Sequence, residues 1–280
     1  MSEQRVVFFH TLGDTHLERA EDALVFVPPS LVGVLDGSHP IIDNSEREPQ
    51  SPTQRLVSIG VATCQMADPS TDLRSLVAQI NRRIRETMGN GGSEDQAVFP
   101  SAAFALGRLT AEGGLEILQG GDSLVAVEFS DGSCLATPNT VFKHTEECQE
   151  AVRGLEPGSR EWHDVRARVG PAIQRRINKP GGWPMLNGDD AVEHYWLHRV
   201  FGRGVVRRAL FFTDGLLPLS ALKALERESN VKKLFKAYDD RGFEGIYEST
   251  KRHALAESKS SSNKRTPYVG EATAIALNLN

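Results

Sequence analysis

The sequence has little cysteine, and the three present are scattered: Cys64, Cys134 and Cys148, an odd number with no C-x-x-C pair. That excludes a disulfide framework or a thiolate zinc site as the organising feature and fits a reducing compartment. An excess of cations is also missing. Lys and Arg number 32 against 37 Asp and Glu, a net charge of −5, whereas nucleic-acid and anionic-membrane binders are usually basic. No apolar run approaches the roughly 20 residues that cross a bilayer. The opening MSEQRVVFFHTLGD lacks the basic, apolar and small-residue succession of a secretory signal. There is no HExxH, no HCx5R loop, no Cys–His spacing of a thiol nucleophile and no internal repeat. The expectation is a cytoplasmic globular protein of one domain, 1–280, binding neither nucleic acid nor membrane. With 280 residues, 39% of them hydrophobic, it is long enough to bury a sizeable core.

Short β-branched and aromatic runs predict strands at 6–9, 23–27, 31–35, 56–61, 102–109, 115–119, 124–129, 206–213 and 272–279. Pro28-Pro29-Ser30 reads as a hairpin connection, and the Gly-rich links at 111–114 and 120–123 read as an antiparallel meander. Leu73, Leu76, Val77, Ile80 and Ile84 recur at three- and four-residue spacing and predict a core-facing helix over 72–88. Further helical patterns cover 146–178, which Pro171 must kink or split, then 189–200, 218–227 and 243–256. On the pattern at 189–200, His194, Tyr195, Trp196 and His198 read as a packed amphipathic face rather than a metal pair. The segment 257–265, ESKSSSNKR, reads as a polar loop. Many antiparallel strands with helices inserted between hairpins make the fold class α+β, with sheets covered by helices.

The informative feature is where the acids fall. Glu21-Asp22 precedes a strand, Asp36-Gly37 follows LVGVL, Asp122 sits in GGDS before LVAVEF, and Asp214-Gly215 ends ALFFT. Carboxylates meeting at one sheet edge repel one another and have raised pKa values unless a cation neutralises them. Oxygen ligands without Cys or His sets select Mg²⁺ or Mn²⁺ over zinc. Glycine after aspartate lets a carbonyl approach an ion and the backbone turn sharply. Asp-Gly is also simply common at turns.

Taken in order, ED before a strand, VLDG, GDS, FFTDGL and EATAIAL on the last strand resemble the metal-dependent protein phosphatase 2C (PPM) family, over about 21–277. The match is closest to short bacterial-type members, with a W-x-L/M-N/S-G-D-like stretch at 183–189 and a helix before the TDG strand. The resemblance implies a four-layer αββα sandwich, two antiparallel sheets flanked by helices. It implies two Mg²⁺ or Mn²⁺ ions and a weaker third, and attack of a metal-bridging hydroxide on phosphoserine and phosphothreonine of a protein substrate. Carried over residue by residue, Asp36 bridges the metals, the Gly37 carbonyl binds one, and Asp214 binds the second. Glu21 and Asp22 bind directly or through water, and Asp122 serves the third ion. Arg19 stands near the place of a phosphate-contacting arginine. His39 is a candidate general acid, displaced by one residue, or else a solvated loop histidine before Pro40.

The family's last metal aspartate falls on Gly270 here, with Glu271 one position later. On a regular strand Glu271 shares the face of Thr273, opposite to that of the lost aspartate. Two activities are therefore expected as alternatives: a serine/threonine protein phosphatase, or a weak or inactive pseudophosphatase that binds a phosphoprotein or partner. A phosphatase with Asp36 as covalent nucleophile is set aside, because Ser38 stands where a second aspartate is required.

Overall fold

The computed structural model describes residues 5–13, 20–38, 50–89, 91, 99–156, 159–260 and 270–279. Ten strands among them form two antiparallel sheets. One has the order β1 (Arg5–Thr11), β10 (Ala272–Asn278), β9 (Val206–Phe212), β6 (Leu124–Phe129) and β7 (Cys134–Ala136). The other runs β2 (Asp22–Val27), β3 (Leu31–Ser38), β4 (Ser101–Leu109), β5 (Leu115–Gly120) and β8 (Leu197–Phe201).

The sheets pack face to face through Val34, Ala105, Ile117, Val125, Phe211 and Ile275. Helices α1 (Pro52–Met66) and α2 (Leu73–Met88) cover the second sheet, burying Leu56, Val57, Leu76 and Ile80 against Leu35 and Phe104. Helices α5 (Leu219–Ala224) and α6 (Glu228–Ser260) cover the first, where Phe235, Phe243 and Tyr247 meet Leu210 and Phe212. This is the expected αββα sandwich, with three buried apolar layers. No helix among the described residues is long and apolar enough to cross a membrane.

Several local expectations fail for identifiable reasons. The run at 56–61 is not a strand but the middle of α1. Ser51 caps that helix with a full capping box to Gln54, proline occupies its first turn, and Leu56, Val57, Gly60 and Cys64 are buried at helical spacing. Cap and tertiary burial together outweigh the β-branched composition. The pattern at 189–200 is only a 3₁₀ turn, Asp190–His194, before edge strand β8. His198 therefore leaves the supposed helix face, and its Nε2 bonds Glu116 Oε1 at 2.9 Å. The 146–178 pattern divides into α3 (Phe142–Ala151) and α4 (Arg160–Gln174), with Pro171 inside α4 near its end. Helix α6 begins well before 243 and runs through part of the expected polar loop, to Ser260; residues 261–265 lie outside the described residues.

One correction matters for function. Strands β5 and β6 are not neighbours in a meander: they belong to different sheets. Gly121, at φ +79°, turns the chain from one sheet to the other, and a Cβ there would sit 2.5 Å from that of Ala103. Asp122 thus stands at the corner where the sandwich layers meet.

Candidate metal centre

Asp22 and Asp36 are direct partners in the β2–β3 ladder. Opposed residues of an antiparallel pair project to the same face, so the two carboxylates share one end of the second sheet. Asp214 opens the 3₁₀ turn Asp214–Leu216 where β9 ends in the first sheet. With Asp122 at the crossing between sheets, four carboxylates from distant parts of the chain reach one end of the sandwich.

Asp36, Asp122 and Asp214 line a single cavity of about 210 Å³ with Gly37 and Ser38. Its remaining wall is Val141, Gln174, Ile177, Trp183 and Met185. No cysteine or histidine is among these residues.

The electrostatics follow from this crowding. Burial pushes the Asp36 carboxyl well above the ordinary range, and the charges of Asp22, Asp214, Asp122 and Glu271 push it the same way. Asp122 is pushed up to about 7, by burial first and Asp214 second. Asp214 is raised by burial, against a hydrogen bond from the Gly215 backbone. Asp22 is raised by burial and then by Glu271, while the Thr213 hydroxyl pulls it back. Asp22, Asp36 and Asp122 are half-buried and Asp214 is exposed, so solvent in the cavity tempers this push without reversing it. Among the described residues, no three acidic or histidine side chains already close on a single point as a ready chelate. The aspartates surround a space instead.

Two glycines are required by close approach. A Cβ on Gly215 would lie 1.9 Å from the Glu271 carbonyl oxygen; this glycine lets the end of β9 touch the backbone just before β10. A Cβ on Gly37 would lie 2.5 Å from Thr53 Cγ2 and 2.8 Å from Glu21 Cβ.

The architecture has known counterparts. No protein-family model and no curated protein sequence matches the chain. Solved structures do. The PPM Ser-Thr phosphatase MsPP from Mycobacterium smegmatis, in complex with cacodylate, superposes with a TM-score of 0.52 at 18% identity, over 99% of this chain and 98% of that one. PppA of Pseudomonas aeruginosa, described as a key regulatory component of T6SS, gives 0.54 at 15% identity, over 99% and 98%. RsbX in complex with magnesium gives 0.51 at 9% identity, over 100% and 97%. The chain has the PPM phosphatase fold.

Within that PPM fold, the remaining candidates divide. The Glu21 backbone is tied to the site, its N–H donating to Glu271 Oε2 at 2.7 Å and its carbonyl accepting from Gly37 N at 3.2 Å. Its carboxylate turns the other way, toward α1, where Oε1 accepts from the Ser51 hydroxyl at 2.7 Å. Glu21 therefore lines a groove beside α1 rather than the aspartate cavity. Glu271 by its charge and Thr273 by a hydrogen bond both act on Asp22. Gly270 and Glu271 precede β10 rather than lying in it. Burial raises the Glu271 carboxyl, and the Glu21 and Asp22 amides hold it down. Its Oε1 is buried and accepts no hydrogen bond. Arg19 and His39 lie outside the described residues.

Thr213 is not singled out by the sequence, and Thr273 serves there only to set the face of Glu271. Thr213 Oγ1 donates to Asp22 Oδ2 at 2.6 Å and accepts from Thr273 N at 3.0 Å. Thr273 Oγ1 in turn bonds His10 Nδ1 at 2.8 Å. The only available signal was the threonine directly before Asp214-Gly215, too common a residue to single out.

Proposed function

We propose that this chain is a Mg²⁺- or Mn²⁺-dependent phosphatase acting in the cytoplasm on phosphoserine and phosphothreonine in proteins. The observation that carries this reading is the convergence of Asp36, Asp122 and Asp214 on one cavity, with all three carboxyls held above their ordinary range. A pit of carboxylates repels a phosphomonoester dianion, so binding that substrate needs divalent cations between the two.

The donor set fits such ions: carboxylates and a glycine carbonyl suit hard cations, and the buried Glu271 Oε1 accepts no hydrogen bond, with His10 Nε2 3.8 Å away. Asp36 would be shared between two ions, with the Gly37 carbonyl and Asp214 completing them. Asp122 would hold a weaker third. Asp22 and Glu271 would act directly or through water; Glu21, given its bond to Ser51, would act through water. When bound, the ions would activate water for in-line attack and neutralise the phosphoryl oxygens. Asp36 and Asp214 orient that assembly, and Trp183, Met185 and Ile177 wall one side of the cavity against bulk water. The roles proposed for His39, protonating the leaving oxygen, and Arg19, contacting phosphate, rest on sequence position alone.

The test is Mn²⁺-dependent hydrolysis of p-nitrophenyl phosphate and a phosphothreonine peptide. Asp36→Asn is expected to lower kcat/KM by about 100-fold or more, through loss of charge stabilisation. An unchanged rate would overturn the assignment. Gly270, in the place of the family's last metal aspartate, favours one second reading, a phosphoprotein-binding pseudophosphatase. A wild type that binds Mn²⁺ and phosphopeptide without turnover would establish that instead.

A further inference from the structure

Helix α6 turns a corner on the outer side of the first sheet. Gly242 takes φ +65° inside it, so the helix runs as two arms. Helix α5 and the residues before it close the third side, and a cleft of about 340 Å³ lies between. Its lining is mainly apolar, with Leu217, Ala221, Leu225, Leu234, Ala237 and Ile246.

Lys233 and Arg241 also line the cleft and are both exposed. Eight residues apart on one helical arm, they stand about 12 Å from each other. Their hydrogen bonds go to neutral partners, Lys233 Nζ to Asn230 Oδ1 at 3.2 Å and Arg241 Nη1 to Ser249 Oγ at 2.7 Å. Neither is ion-paired among the described residues, whereas two other lysines of the same arm are: Lys232 with Glu228 and Lys236 with Asp240. The cleft is thus an apolar trough with an uncompensated cation toward each end.

That charge pattern selects its occupant. Carboxylates at both ends of an apolar stretch complement it, and acidic residues four apart in an extended chain are about 13 Å apart.

We propose that this cleft binds an extended segment of a partner protein in which two or three apolar side chains are flanked by acidic residues. The site shares no lining residue with the aspartate cavity and does not rest on the phosphatase reading.

The experiment is fluorescence anisotropy on the full chain with two labelled probes, the peptides Glu-Leu-Val-Leu-Glu and Lys-Leu-Val-Leu-Lys. Saturable binding is expected for the acidic probe, at least tenfold tighter than for the basic one. Lys233→Glu with Arg241→Glu should reverse that preference. Ala237→Trp should abolish binding of the acidic probe, and Asp36→Asn should leave it unchanged. Absence of saturable binding, equal affinity for the two probes, or indifference to the double charge reversal would overturn the proposal. So would saturation of the cleft by decanoate with no binding of the acidic peptide, which would make it a small-molecule site. The double variant changes only exposed positions, so the test survives a failure of Ala237→Trp to fold.

Discussion

Thr213 and Asp22 lie 191 residues apart and in opposite sheets, yet the threonine hydroxyl donates to the aspartate at 2.6 Å. The same oxygen accepts from the Thr273 backbone N–H. One side chain therefore ties β2 to the β9–β10 pair at the end of the sandwich where the aspartates gather. Removing it leaves a buried N–H unpaired and Asp22 without its donor. Thr213→Val should cost about 1–3 kcal/mol in urea unfolding and weaken Mn²⁺ binding, while Thr213→Ser should restore most of both. Unchanged stability and metal affinity in the valine variant would show that the bond holds nothing in place.

The charge crowding makes a pH prediction. Asp122 has a folded pKa of about 7, raised above its ordinary 3.8. A raised carboxyl favours its protonated form in the folded state. Its contribution to stability is therefore complete below about 3.8 and is lost as pH rises through about 7. In metal-free protein Asp122→Asn should thus be neutral near pH 4 and stabilising at pH 8. The gain is on the order of 1–2 kcal/mol once solvent access from the cavity is allowed for. Mn²⁺ should reverse the order at pH 8, because wild type then holds a cation that the variant does not. A difference in melting temperature that stays flat with pH would contradict this.

Gly215 offers a steric test. Its absent Cβ would fall 1.9 Å from the Glu271 carbonyl oxygen, a backbone atom that cannot swing aside as a side chain does. Gly215→Ala must push β9 and the start of β10 apart, at a cost of about 1–3 kcal/mol or more. Because Asp214 precedes it, Mn²⁺ affinity should fall with stability. Ser38→Ala, beside the same cavity, should leave stability within about 0.5 kcal/mol. Comparable losses in the two variants would show the contact to be yielding.

What could be read in advance was whatever local chemistry dictates. Helix α2 announced itself through five apolar residues at helical spacing, all of which are buried, and the structure adds the Asp72 side chain as its cap. Asp36 and Asp214 stood out because Asp-Gly closed two apolar strands, and the structure brings them to one cavity. What was not legible depended on partners far along the chain. Residues 56–61 carry a strand-like composition, and beyond the local Ser51–Gln54 capping box it is burial against Leu35 and Phe104 that keeps them helical. The change of sheet at Gly121 cannot be seen in a Gly-rich link that serves a hairpin equally well. Arg208 reads as a surface charge beside Arg207, yet it is buried between Glu128 and Asp239, beneath the ring of Phe235.

Glu271 poses the sharpest question, because it has two separable jobs. Oε2 accepts from the Glu21 N–H, which holds the start of β2, while the buried Oε1 makes no hydrogen bond and lies 3.8 Å from His10 Nε2. A carboxylate hydrogen-bonded through one oxygen and not through the other is how metal ligands are commonly oriented. Glu271→Gln keeps an acceptor for the backbone and removes the charge; Glu271→Ala removes both. If the charge serves a cation, both variants should bind Mn²⁺ at least tenfold more weakly by calorimetry, and only the alanine variant should lose stability. Adding Gly270→Asp to Glu271→Gln should then recover binding by returning a carboxylate to the neighbouring position. If the glutamine variant binds Mn²⁺ as wild type does, Glu271 is a backbone anchor alone, and the aspartates must hold the ions without it.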